Sequence, residues 1–214
     1  MKVYSRFPGV FLWVSFVLAA LSGCGSVIDL GGSTPPANIF KLEPLNAQVA
    51  ETPVPDWRLR IAPPTASGGL DTDRIAVATA PLEIRYYAEA RWADRVPEMV
   101  QALLVDSFET GADAVALTVD STVGTTPYIL ETDIREFQAD VTDEAAPQAK
   151  VRIALRLMRP GPTRLVANTT LNATAEADGT EAAALVRAFN TAMQDLLAEA
   201  VEWTAAQVRK AGPA

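Results

Sequence analysis

An apolar stretch opens the chain: residues 10–21 carry no charge, Lys2 and Arg6 stand ahead of them, and the small pair Ser22 and Gly23 leads directly into Cys24. A positive start, a short apolar run and small residues before a cut are the parts of a bacterial export signal. The run is short for a helix that crosses a bilayer core, which takes roughly 20 apolar residues. It ends instead on the only cysteine of the chain. Leu21-Ser22-Gly23-Cys24 therefore reads as a lipobox, with cleavage between Gly23 and Cys24 and a lipid on the Cys24 thiol. The competing readings are a buried core cysteine and a retained membrane span. Residues 24–37 are rich in Gly, Ser and Pro and show no apolar period, so they read as a lipidated flexible tether. Fully extended, such a segment reaches on the order of 40 Å.

Past the tether, apolar residues come in short runs. Residues 38–42, 57–62, 74–79 and 82–87 are strand-like, separated by Pro53, Pro55, Pro63, Pro64, Gly68 and Gly69. Between residues 93 and 110 the apolar positions Val96, Val100, Leu103, Leu104 and Phe108 fall at steps of three and four. That spacing predicts an amphipathic helix with Pro97 in its first turn and Gly111 as its stop. Residues 114–119 read as a further strand.

The second half is more regular. Residues 128–140 form one long extended segment, in which Phe137 falls out of phase with Leu130 and Ile134, so a bulge is expected near Arg135. Val151, Ile153, Leu155 and Leu157 alternate with Arg152, Ala154, Arg156 and Met158. Leu165, Ala167, Thr169, Leu171 and Ala173 share one face of the next segment. Together these three predict an antiparallel meander with one solvated side. Leu185, Phe189, Met193, Leu196, Ala200 and Val208 then recur at helical spacing over residues 181–209. The fold expected is a single α+β domain: a mixed, largely antiparallel sheet with a C-terminal β-meander, covered by helices at about 93–110 and 181–209. Residues 1–23 are the signal peptide, 24–37 the tether and 38–212 the domain.

Charge and chemistry narrow the function. The 214 residues carry 18 Lys and Arg against 26 Asp and Glu, a net charge of -8. Removing Lys2 and Arg6 leaves 16 against 26, or -10. So acidic a body is poorly matched to nucleic acid or to anionic lipid. With no histidine in the chain, Ser-His-Asp and Cys-His arrangements and His-ligated metal sites are excluded. No G-x-x-x-x-G-K-[ST] loop is present, so the chain is not itself a P-loop ATPase. Asp71-Thr72-Asp73 resembles part of a calcium loop, but the later ligands do not follow, and a capped turn is the simpler reading. Asn168-Thr169-Thr170 and Asn172-Ala173-Thr174 match glycosylation acceptors but read as the polar face of a strand.

One stretch carries a family resemblance. Residues 74–77, then Leu82-Glu83-Ile84-Arg85-Tyr86-Tyr87-Ala88-Glu89-Ala90-Arg91-Trp92, then Val96-Pro97, Val100-Gln101, Leu104 and Phe108-Glu109 resemble the ABC-type transport auxiliary lipoproteins, the PqiC/YmbA-like group. Phe40-Lys41-Leu42-Glu43-Pro44, Tyr128-Ile129-Leu130-Glu131 and the lipobox are similar too. The resemblance implies a periplasmic lipoprotein held at the outer membrane of a Gram-negative envelope. It implies partnership with an MCE-domain protein and an ABC permease/ATPase complex in lipid transport, with no catalysis, no metal and no cofactor beyond the covalent lipid, such as palmitate, on Cys24. A homo-oligomer is compatible with it. Arg85, Tyr86, Tyr87, Arg91 and Trp92 are of types enriched in interface hot spots, so they are the candidate partner contact, with core packing as the alternative for each. A second functional reading has the protein carry lipid or another hydrophobic ligand itself, in a groove between the sheet and the terminal helix.

Overall fold

The computed structural model describes residues 37–45, 57–111, 114–117, 128–159 and 164–211. The signal peptide, the cleavage site and Cys24 lie outside them. The body beginning at Ala37 forms one unit. Among the described residues it holds nine strands and two helices: β1 (Asn38–Phe40), β2 (Trp57–Ile61), β3 (Thr65–Ala66), β4 (Arg74–Ala78), β5 (Arg85–Trp92), α1 (Val96–Gly111), β6 (Ala114–Leu117), β7 (Tyr128–Asp140), β8 (Gln148–Arg159), β9 (Arg164–Glu176) and α2 (Ala182–Ala211).

The sheet is organised around β7. One of its edges pairs with β8 along its length, antiparallel from Ile129↔Met158 to Asp140↔Gln148. The other is shared by three short strands in succession, all parallel to it: Leu59↔Tyr128 in β2, Thr65↔Asp133 in β3 and Val77↔Ala139 in β4. Beyond β8 lies β9, antiparallel. Beyond β4 lie β5, antiparallel, and β1, parallel to β5. β6 extends the sheet past β2. The sheet is thus mixed, with its long pairings antiparallel, and the meander β7–β8–β9 stands as its pattern predicted.

The expected bulge is present: the β7–β8 register shifts between Ile134 and Glu136. The extra residue resets the side-chain phase, so Leu130, Ile134 and Phe137 all face inward, each with 1% or less exposed. A second bulge was not foreseen. The register of β9 shifts opposite Leu157 and Met158, placing Ala167 and Leu165 against them. Val166 is skipped, its side chain packs against the core, and Leu165, expected inside, is 53% exposed.

Helix α1 starts three residues later than expected, because Ala93 N still donates to Phe40 O of β1 at 2.8 Å and only then does the chain turn into the helix. Its first-turn N–H groups need acceptors, and Val96 N donates to Thr72 O at 3.0 Å. Helix α2 lies on β8 and β9 and also packs on α1. Leu185, Phe189, Met193, Leu196, Ala200 and Val208 all face the core. Aromatic residues fill its centre. Phe137 stacks on Phe189 with ring centroids 5.0 Å apart, and Trp92 meets both edge-on. The opposite face of the meander is polar, with Glu136 opposite Arg152 and Glu131 opposite Arg156. Such exposed cross-strand pairs favour this register and contribute little to stability. No helix of the described residues is long and apolar enough to cross a membrane.

Candidate partner interface

The candidate contact residues lie on β5, and their exposure follows from how that strand pairs. Between Arg74↔Arg91 and Ala76↔Tyr86, two steps along β4 span five along β5. The intervening residues bulge away from β4, while on the other edge of β5 Ala90 pairs with Asn38 of β1. Strict alternation is lost there. Tyr86 and Tyr87 are consequently both half-buried, Ala88 and Glu89 are both exposed, and only Ala90 and Trp92 resume the inward phase.

Tyr86 is held from two sides. Its hydroxyl donates to Gly69 O at 3.0 Å, and the Arg74 guanidinium sits over its ring, 4.0 Å from the centroid. Stacking of a cation on an aromatic face fixes both side chains at the surface. Tyr87 lines an open depression of about 240 Å³ with Asp73, Arg74 and Arg91. Arg91 reaches Asp73 at 3.7 Å and Arg85 pairs with Glu83 at 2.7 Å, all with substantial exposure. In the sequence Arg74 stands out only as part of a strand and of the family-like run 74–77. Its place over Tyr86 depends on β4–β5 pairing, which no local pattern encodes.

Trp92 does not belong with them. It is 1% exposed, enclosed by Phe137 and Phe189, and its backbone N donates to Asp73 O at 2.7 Å. Its indole is core packing and offers nothing to a partner. The candidate contact residues that remain at the surface are Arg85, Tyr86, Tyr87 and Arg91, with Arg74 beside them.

Asp71-Thr72-Asp73 is a turn. Leu70 N and Asp71 N both donate to Ser67 O, and Arg74 N donates to Thr72 Oγ1 at 3.2 Å. Asp71 pairs with Arg95 at 2.7 Å. Among the described residues no group of three or more acidic, Cys or His side chains is placed to hold a metal ion. The space between the meander and α2, where a carried ligand would sit, is filled by Val151, Ile153, Leu155, Phe189, Met193 and Leu196, none more than 1% exposed. Two further depressions, of about 290 and 320 Å³, open at the surface around Pro63 and Thr65.

The described body is thus a sheet under two helices with a closed core, and half-buried tyrosines and exposed arginines share the surface of β5. Residues 40–201 match the family of ABC-type transport auxiliary lipoprotein components, and the chain belongs to that family. The family's members are auxiliary lipoprotein components of ABC-type transport. An uncharacterised protein of Bradyrhizobium diazoefficiens is 32% identical over 146 residues, covering 68% of this chain. The chain spans 39% of that relative's length. Among solved structures, protein XCC0632 from Xanthomonas campestris, of the DUF330 family, superimposes with a TM-score of 0.73 at 26% identity, covering 81% of this chain and 98% of its own. A second crystal structure, of an uncharacterized protein, has a TM-score of 0.64 at 9% identity, covering 79% of this chain and 99% of its own, and shares the fold alone.

Proposed function

We propose that this protein is a non-enzymatic lipoprotein, anchored by a lipid on Cys24 to the outer membrane and facing the periplasm. There it docks the MCE-domain protein and permease of an ABC-type lipid transport system. The observation that carries this reading is the family match across residues 40–201, joined to the lipobox that precedes it. One acyl chain binds a membrane only marginally, whereas two or more hold a protein stably, so a processed Cys24 fixes the body at the envelope without a spanning helix. The tether gives that body reach toward a partner crossing the periplasm. Transport energy comes from the partner ATPase. The half-buried Tyr86 and Tyr87 beside Arg74, Arg85 and Arg91 are of the residue types that anchor protein interfaces.

Direct carriage of lipid has less support, because bulky side chains occupy the space between α2 and the meander. The test is purification of the intact, lipidated chain from membranes under mild detergent. Co-purification of the MCE-domain or permease subunit is expected. Recovery of the lipoprotein alone, with transport intact in its absence, would sink the reading.

A further inference from the structure

The connection from β4 to β5 displays apolar side chains that the fold does not use. Glu83 N donates to Ala80 O at 3.3 Å, closing a four-residue turn with Pro81 and Leu82 at its centre. Leu82 has φ of 65°, the left-handed region that a type II turn requires of its third residue, where Gly or Asn is normal. A leucine there is strained by its Cβ. It gains nothing from packing in return: Leu82 is fully exposed, and Ile84 close by is 47% exposed.

The surroundings say what could cover them. Val77 and Ala78 pair with Ala139 and Asp140, and Val141 N donates to Ala78 O at 2.9 Å. The β7–β8 turn therefore leaves the sheet beside the β4–β5 turn. Ala177 N donates to Pro147 O, which brings the β9–α2 connection to the same end. Asp143, Glu144, Glu176, Asp178 and Glu181 are exposed in or next to these connections, and none makes an ion pair among the described residues. The two cations nearby are already engaged, Arg85 with Glu83 and Lys150 with Asp140. This end of the sheet is an apolar prong in a negative field.

We infer that Leu82 and Ile84 are the apolar centre of a docking surface for a partner protein that offers an apolar pocket within a basic rim. Charge complementarity selects that occupant. An anionic bilayer would be repelled by the same acids, and a second copy of this end would bring like charges together. The inference rests on the docking role proposed above and names the end of the body that performs it.

The experiment uses the full lipidated chain expressed in cells. A photo-crosslinking residue at position 82 should capture a Lys- and Arg-rich peptide of one protein, with at least tenfold less product when Asp143 and Glu144 are both changed to Lys. Crosslinks to lipid, to a second copy of this chain, or no more product than from exposed position 191 of α2, would overturn the inference. A second variant guards against misreading a folding defect. Leu82→Gly removes the strain, so its unfolding midpoint should hold or rise while co-purification of the MCE-domain or permease subunit drops at least tenfold. A lowered midpoint would make Leu82 structural and overturn the inference. If the unaltered protein co-purifies with that subunit and Leu82→Gly and Leu82→Asp do so equally, this docking surface is wrong and the tethering role stands. If the unaltered protein co-purifies with neither subunit and transport is intact without it, the tethering role fails, and the chemistry of the peptide captured at position 82 alone decides the inference.

Discussion

Trp92 meets Phe189 edge to face, with ring centroids 5.3 Å apart and planes at 90°. That contact joins the last residue of β5 to the terminal helix across 97 positions of sequence, the difference of their numbers. The Tyr86-Tyr87-Ala88-Glu89-Ala90-Arg91-Trp92 run therefore serves two ends. Its tryptophan clamps sheet to helix, and its tyrosines and arginines stay at the surface where β5 bulges from β4.

Replacing Trp92 should expose the difference. Truncation of a buried aromatic costs about 3–5 kcal/mol, combining lost transfer energy with a cavity. Trp92→Ala should lower the free energy of unfolding by that amount in a urea titration, with a much smaller effect from Tyr87→Ala. Equal losses would contradict the division of the run into core and surface.

The Tyr86–Arg74 contact gives a measurable coupling. Tyr86 donates to Gly69 O at 3.0 Å while Arg74 lies 4.0 Å from its ring centroid. A double-mutant cycle on Arg74→Ala and Tyr86→Leu should yield about 0.5–1 kcal/mol for the stacked pair. Tyr86→Phe keeps the ring and loses only the hydroxyl, at about 1 kcal/mol. A coupling of zero would mean that the two side chains are independently solvated.

Long elements with a full apolar period were legible in the sequence, and pairing-dependent features were not. β7 spans the expected residues 128–140, and the bulge at Arg135 was visible because Phe137 breaks the phase of its own strand. Helix α2 was equally plain from Leu185 to Val208. The stretch 82–87 failed. Leu82, Ile84 and Tyr86 alternate as a strand would, yet Pro81 and Leu82 form a turn and β5 starts at Arg85. Leu165 failed for a related reason, since the bulge at Val166 exists only against β8. The order of β2, β3 and β4 along one edge of β7 is likewise tertiary. In the candidate site, Arg85, Tyr86, Tyr87 and Arg91 were found by residue type. Arg74 needed the strand pairing to place it.

Acid should weaken the hairpin between β7 and β8. Lys150 Nζ lies 2.6 Å from Asp140 Oδ2, and Thr142 donates to Asp140 Oδ1 from both hydroxyl and backbone N. The hydrogen bond from Lys150, then those from Thr142, hold the Asp140 carboxyl down from 3.8 to about 2. A folded pKa below the unfolded one stabilises the protein at pH values above 3.8. That contribution is lost as pH falls through 3.8 toward 2. With the pair partly open to solvent, about 1–2 kcal/mol is at stake. Asp140→Asn should be less stable than the unaltered protein by that margin at neutral pH, and the gap measured in urea titrations should close by about pH 2. A gap independent of pH would assign the effect to packing.

Removing the thiol should separate location from fold. The core cluster of the described body runs from Leu42 to Val208, and its stability is expected to be independent of the lipid on Cys24. Cys24→Ala should block lipid attachment and leave that core as it is. Its unfolding free energy, compared with that of the detergent-extracted lipoprotein, should agree within about 0.5 kcal/mol, the usual range for a change outside the core. Its partition should differ completely. A protein whose membrane affinity comes from acyl chains loses about 0.8 kcal/mol for every buried CH₂ removed, far more than an acidic body recovers from anionic lipid. The variant should therefore appear in the soluble or uncleaved precursor fraction, and the transport phenotype should be lost with the body still folded. A variant that stays processed and membrane-bound would place the anchor elsewhere in the chain.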